Sequence, residues 1–156
     1  MALTLVASCS MQMPICLGIG LHWELFTLFL GGHACAGTNN KEPWAFGKEI
    51  EEVSRIALER RYILLPYYYT LLHEASTTGM PIMRPIFFAD LKDLSLRAEE
   101  KAFLVGDDLL VIPSFAKKTA LPKGIWEDLS LVDGDKDGKY QAKLKIRGGS
   151  IILPAR

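Results

Sequence analysis

Four places in the sequence bring together side chains that could do chemistry. His73-Glu74 sets a carboxylate beside an imidazole, the pairing that tunes a general acid or base. Adjacent helical residues diverge by about 100°, however, so these two do not face one site, and a solvated helix surface is the better account. Asp107-Asp108 offers paired carboxylates, but it follows Gly106 between two apolar runs and reads as a turn whose oxygens cap backbone amides. Asp133-Gly134-Asp135-Lys136-Asp137-Gly138 begins as a calcium loop does, with acids at the first, third and fifth positions and glycine at the sixth. The twelfth position, which must supply a bidentate glutamate, is Leu144, so an exposed acidic hairpin loop is expected and no metal. Cys9, Cys16 and Cys35 are odd in number and lack ligand spacing; they indicate neither a disulfide framework nor a zinc site and read as buried free thiols. No catalytic residue and no cofactor is assigned.

The elements that position these groups centre on residues 42–79. Glu42-Pro43-Trp44 opens the stretch, apolar residues recur at helical spacing through Ile50, Val53, Ile56, Ala57, Leu64 and Leu65, and Thr77-Thr78-Gly79 ends it with a glycine able to take a left-handed cap. Pro66 lacks an amide hydrogen and crowds the carbonyl four residues back, which predicts two helical pieces with the break after Leu65. Glu51 and Arg55 stand one turn apart and are expected to pair, with Glu49 and Glu52 favouring the amino end of the helix dipole. The bulky run Tyr67-Tyr68-Tyr69 needs a packing partner, and Trp44 is expected to anchor the start of the helix.

From Met80 the texture changes, which marks a domain boundary. Residues 80–88 alternate apolar positions around Pro81 and Pro85 and read as an edge strand. Residues 103–105 and 109–112 read as short strands about the Gly106 turn, with one helical turn near residues 95–99, and residues 140–146 alternate as a half-buried strand does. Residues 1–30 carry one charge, Glu24. No basic residue precedes the apolar run 2–7, as a secretory signal would require, and Ser8, Ser10, Gln12, Pro14 and His22 interrupt a stretch that approaches the roughly 20 residues of a membrane span. An element for the interior of a larger barrel is the expectation there, not a membrane anchor. With 156 residues, 18 basic side chains against 18 acidic ones and 49% hydrophobic composition, the chain can bury a core and gives no electrostatic reason to expect nucleic acid.

Several motifs fall in one family's order. Gly32-His33, Glu42-Pro43-Trp44-x-Phe46-Gly47, Arg61-Tyr62-x-Leu64-Leu65-Pro66-Tyr67-x-Tyr69-Thr70-Leu71 and Gly79-Met80-Pro81-x-x-Arg84-Pro85 resemble the end of the catalytic barrel in glycoside hydrolase family 31, the alpha-glucosidase family. Phe103-Leu104-Val105-Gly106-Asp107-Asp108, Leu121-Pro122-Lys123-Gly124-Ile125-Trp126 and Arg147-Gly148-Gly149-Ser150-Ile151-Ile152 resemble motifs of the β-domain that follows it. The resemblance implies a mixed α/β chain: residues 1–79 the partial carboxyl-terminal end of a (β/α)8 barrel, its last strand-helix portion, and residues 80–156 a small antiparallel, β-sandwich-like domain. It implies an alpha-glucoside or oligosaccharide as ligand and His33 as a substrate-binding residue at the mouth of the last barrel strand. Where members carry an arginine before the glycine-histidine pair this chain has Gly31, and it has no Asp-Ile-Gly-Gly segment.

Retaining glycosidases work with two carboxyl groups about 5 to 5.5 Å apart. In the family both are aspartates on earlier strands and loops, the nucleophile within Trp-x-Asp-Met-Asn, and neither motif occurs here. No catalytic role is carried onto Glu24, Glu42, Glu49 or Glu74. The expectation is a fragment of an alpha-glucosidase-like hydrolase of carbohydrate metabolism, inactive alone. The alternative is a noncatalytic carbohydrate- or partner-binding module using His33, Trp44 and the β-domain surface, and a third reading is a membrane-anchored piece using residues 1–30.

Overall fold

The computed structural model describes residues 42–116, 119–132 and 142–155. His33, the three cysteines, residues 1–30 and the acidic 133–138 loop lie outside the described residues.

Glu42 leads into a short 3-10 turn, Pro43–Phe46, and Gly47 then opens helix α1, Lys48–Ile63. Glu49 and Glu51 occupy its first turn and Arg60 and Arg61 its last, each sign at the end of the helix dipole that favours it. Helix α2, Leu65–Thr78, follows after the single residue Leu64. Pro66 sits in the first turn of α2, where an amide hydrogen would have no intrahelical partner anyway, so the boundary falls before Leu65 and not after it. The ladder bridges the break locally, because the Leu64 amide donates to the Arg60 and Arg61 carbonyls at 3.1 Å each and the Tyr68 amide donates to the Leu64 carbonyl at 3.0 Å. Gly79, at φ 76°, caps α2 in the left-handed region, its amide donating to the Ala75 carbonyl at 3.0 Å.

Two sequence expectations about these helices are corrected. Arg55 pairs with Glu52 and Glu59, its neighbours three and four residues away, and not with Glu51. Trp44 does not anchor the helix start: the residue is 68% exposed, while Phe46 packs beside Ile50 and Val53.

The strands are β1 Met83–Pro85, β2 Phe103–Val105, β3 Leu109–Ile112, β4 Trp126–Leu129 and β5 Lys143–Arg147. They form one antiparallel sheet in the order β1-β2-β3-β5-β4. The strand expected over 80–88 contracts to β1, with a 3-10 turn at Ile86–Ala89, since prolines cannot donate to a ladder and keep the segment at the sheet edge. The helical turn expected near 95–99 is the 3-10 turn Leu94–Ala98, where the Asp93 carboxylate accepts from the Ser95 amide at 3.0 Å. β2 and β3 occupy the positions expected of them, and every residue in both is buried.

Strand periodicity divides the core in two. Phe103, Val105, Leu109, Val111 and Leu144 share a cluster with Ala57, Leu64, Tyr67, Tyr68 and Leu71 of the helices. Leu104, Leu110 and Ile112 point the other way, into a cluster with Ile86, Leu96 and Ala102. The register explains this, since Leu104 stands opposite Leu110 while Phe103 and Val105 stand opposite Val111 and Leu109. The helices therefore cover one side of the sheet, and the 3-10 segments cover the other.

Candidate functional site

The acids that the sequence offers as chemistry meet at one arginine. Arg84, in β1, has a side chain only 1% exposed. Its Nε donates to the Pro81 carbonyl at 2.8 Å, its Nη2 to Glu74 Oε1 at 2.8 Å, and its Nη1 to Asp107 Oδ1. Glu74 comes from the last turns of α2, and Asp107 from the turn joining β2 to β3. The guanidinium thus fastens the end of the helix pair to the central hairpin. Burial works against its charge, and the hydrogen bonds it donates to Asp107 and Glu74 outweigh that, leaving its pKa above the ordinary arginine value.

The same hairpin is held a second way. The Tyr67 hydroxyl donates to the Val105 carbonyl at 2.8 Å, and the Gly106 amide donates to the Ile82 carbonyl at 2.8 Å. Gly106 has φ 65°, and a Cβ there would lie 2.4 Å from the Tyr67 hydroxyl and 2.7 Å from Leu71, so this position needs glycine for both conformation and space. Burial, with the nearby Asp108 carboxylate, pushes the Tyr67 hydroxyl far above the usual tyrosine range. Burial does the same to Tyr68. Asp108 accepts from the Ser150 hydroxyl at 2.5 Å, and its carbonyl accepts from the Arg147 amide at 2.9 Å.

A second buried arginine fastens the middle of the helix pair. Arg60, 2% exposed, donates from Nη1 to the Ala142 carbonyl at 3.1 Å, just ahead of β5. The Ile63 carbonyl, at the break between helices, accepts from the Ala155 amide at 2.8 Å.

Physically this arrangement is a clasp between helix and hairpin. Glu74 and Asp107 both pair with this one cation. Glu99, another acid of the sheet side, serves the backbone: burial raises its pKa, but hydrogen bonds from the Lys101, Ala120 and Ala102 amides outweigh that and hold the carboxyl below its usual range. Among the described residues no group of three His, Cys, Asp or Glu side chains could hold a metal ion, and no helix is long and apolar enough to cross a membrane. Sequence reasoning left Arg84 and Arg60 without roles. The available signal was Arg84 itself, a lone charge within the apolar run from Met80 to Phe88, which demands buried partners.

The described structure is a helix pair fastened to one side of an antiparallel sheet. The model of the glycosyl hydrolase family 31 TIM-barrel domain matches residues 22–71, and that of the family's C-terminal domain matches residues 79–152. The chain belongs to glycosyl hydrolase family 31 and carries the end of its barrel and the domain that follows. Among solved structures, the family 31 alpha-glucosidase from Bacteroides thetaiotaomicron superimposes with a TM-score of 0.84 at 66% identity, covering 92% of this chain and 24% of that one. A family dextranase from Flavobacterium johnsoniae, complexed with isomaltotriose, gives 0.78 at 32% identity, covering 90% of this chain and 19% of that one. The probable glucan 1,3-alpha-glucosidase of Arabidopsis thaliana is 42% identical over 107 residues, 65% of this chain and 12% of the relative. Alpha-glucosidase 2 of Bacillus thermoamyloliquefaciens is 36% identical over 120 residues, 74% of this chain and 15% of the relative. The chain therefore spans only a small part of the length of the relatives it matches.

Proposed function

We propose that these residues are the closing barrel unit and proximal β-domain of a glycoside hydrolase acting on alpha-linked glucosides, and that they do not hydrolyse glycosides by themselves. The observation that carries this reading is the 66% identity, over 92% of the chain, to a family 31 alpha-glucosidase. A retaining mechanism requires two carboxyl groups about 5 to 5.5 Å apart. Glu74 and Asp107, the acids the fold brings together, are both committed to Arg84. In this reading residues 1–79 belong to the barrel and residues 80–156 to the β-domain, and His33 binds sugar hydroxyls through its ring nitrogens once the barrel is complete.

The test is hydrolysis of maltose or an aryl alpha-glucoside by the purified chain. No turnover above buffer is expected, and turnover that survives rigorous purification overturns the proposal. A second reading, a noncatalytic carbohydrate-binding module, draws on the exposed ring of Trp44, since aromatic faces can stack on sugars. Calorimetric titration with isomaltotriose decides it: heat of binding that Trp44→Ala removes favours the module.

A further inference from the structure

The residues after β5 cross from the sheet to the break in the helix pair. Past Arg147 the Ser150 amide donates to the Arg147 carbonyl at 3.1 Å and turns the chain, and the Ser150 hydroxyl donates to the Asp108 carboxylate at 2.5 Å. Residues 151–155 join none of the described strands or helices. Ile152 packs against the cluster that holds Leu64, Tyr67 and Tyr68, and the Ala155 amide donates to the Ile63 carbonyl at 2.8 Å. Ile151 and Leu153, on either side of Ile152, stay 82% and 70% exposed. A segment with open flanks and no ladder belongs to the parts of a fold that open first.

The carbonyl that Ala155 meets lies where the helix pair is weakest. Pro66 has no amide hydrogen to return to the Tyr62 carbonyl, and Leu64, at φ −85° and ψ −1°, sits in the sparsely allowed bridge region. The helices on either side of this point are fastened separately. α2 is held by the Tyr67 hydroxyl on the Val105 carbonyl and by Arg84 between Glu74 and Asp107, whereas α1 is held by Arg60 on the Ala142 carbonyl. A short break between two separately fastened segments is the form a hinge takes.

We propose that residues 150–155 are a strap that sets the bend of the helix pair. Seated, its Ala155 amide closes the break at Ile63 and keeps α1 aligned on the sheet. Lifted, it frees α1 to turn about Leu64 while α2 stays clasped. The root of the strap is tied to the α2 side of the hinge, because the β2–β3 turn holds Ser150 through Asp108 and Arg84 through Asp107. Ser150 lies in the part matched to the C-terminal domain and Ile63 in the part matched to the barrel domain, so the strap passes movement of one to the other. The inference goes beyond the functional reading above and does not depend on it.

Ala155→Pro removes the donating amide hydrogen, and Ala155→Ser keeps it. Amide exchange of the 156-residue chain, read by peptide mass spectrometry, tests the strap. In Ala155→Pro, exchange in peptides covering residues 60–68 should rise about tenfold, the upper end of what the net loss of one backbone hydrogen bond brings. Peptides from residues 103–112 and from the end of α2 should keep the parent's protection, the urea midpoint should stay in place, and Ala155→Ser should behave as the parent. Unchanged exchange at residues 60–68 overturns the proposal. So does an equal rise in every peptide, since the tail would then be one more part of the common core, and so does an Ala155→Ser variant that behaves as Ala155→Pro. Should Ala155→Pro fail to fold, Ser150→Ala carries the test by loosening the strap at its root: a rise confined to residues 60–68 supports the strap, and a rise everywhere or nowhere overturns it.

Discussion

The central hairpin and the helix pair are built from comparably apolar sequence and end in opposite situations. β2 and β3 bury every residue, with Leu104 and Leu110 turned one way and Val105 and Leu109 the other, so all their packing partners come from within this chain. The helices bury one face against that hairpin and leave Leu58, Tyr62, Leu65, Tyr69 and Leu72 in the open. The difference separates two kinds of apolar residue: those that hold this unit together, and those that it leaves exposed. Mutation should divide them accordingly.

The largest contrast is between Leu104→Ala and Leu72→Ala. Leu104 is fully buried, and its truncation should cost about 2 to 5 kcal/mol through lost transfer energy and the cavity left behind. Leu72 is 45% exposed and should change stability by less than about 0.5 kcal/mol while reducing binding of a hydrophobic dye. Urea denaturation with fluorescence detection measures both, and equal losses would erase the distinction. Gly106→Ala comes next. The added methyl meets Tyr67 and Leu71 in a backbone conformation that alanine resists, and a destabilisation of about 1 to 3 kcal/mol is expected, with loss of protection at the Val105 carbonyl's partner visible as earlier ionisation of Tyr67.

A smaller effect appears at alkaline pH. Burial keeps the Tyr67 and Tyr68 hydroxyls protonated in the fold well above the ordinary tyrosine pKa of about 10. Above that pH the unfolded chain releases protons that the folded chain retains, so stability falls; below it their contribution is fully present. Each tyrosine should remove about 1 kcal/mol per pH unit, read from urea midpoints between pH 9 and 11. Spectrophotometric titration offers a check, since two of the five tyrosines should ionise only on unfolding. Simultaneous ionisation of all five near pH 10 would mean that the helix face toward the sheet is not closed.

What the sequence made legible follows the range of the physics involved. The helices, their left-handed glycine cap and the β2–β3 hairpin depend on neighbours within a turn or a strand, and periodicity and glycine placement found them. The break at Pro66 was legible to within one residue, because the proline's own requirements are local but the first helical turn tolerates it. The Arg84 clasp was not legible: its partners lie 10 and 23 residues away, and only the fold decides that Glu74 and Asp107, each plausible as chemistry by itself, face the same guanidinium. Trp44 was misjudged because proline and tryptophan ahead of a helix suggest packing, whereas Phe46 takes that place. The family motifs carried more of the functional reading than any residue cluster did, since His33 lies outside the described residues and Glu74, Asp107, Asp108 and Glu99 make contacts that hold the fold.

Amide hydrogen exchange followed by mass spectrometry tests the central claim most directly, namely that the helices and the sheet share one core across the Gly79–Met80 boundary. Peptides from α1 and α2 should lose protection together with those from β2 and β3, in one cooperative opening, and Arg84→Met should weaken protection at the end of α2 and in the β2–β3 turn in the same experiment. Helix peptides that exchange freely while the sheet stays protected, with Arg84→Met leaving both unchanged, would contradict it.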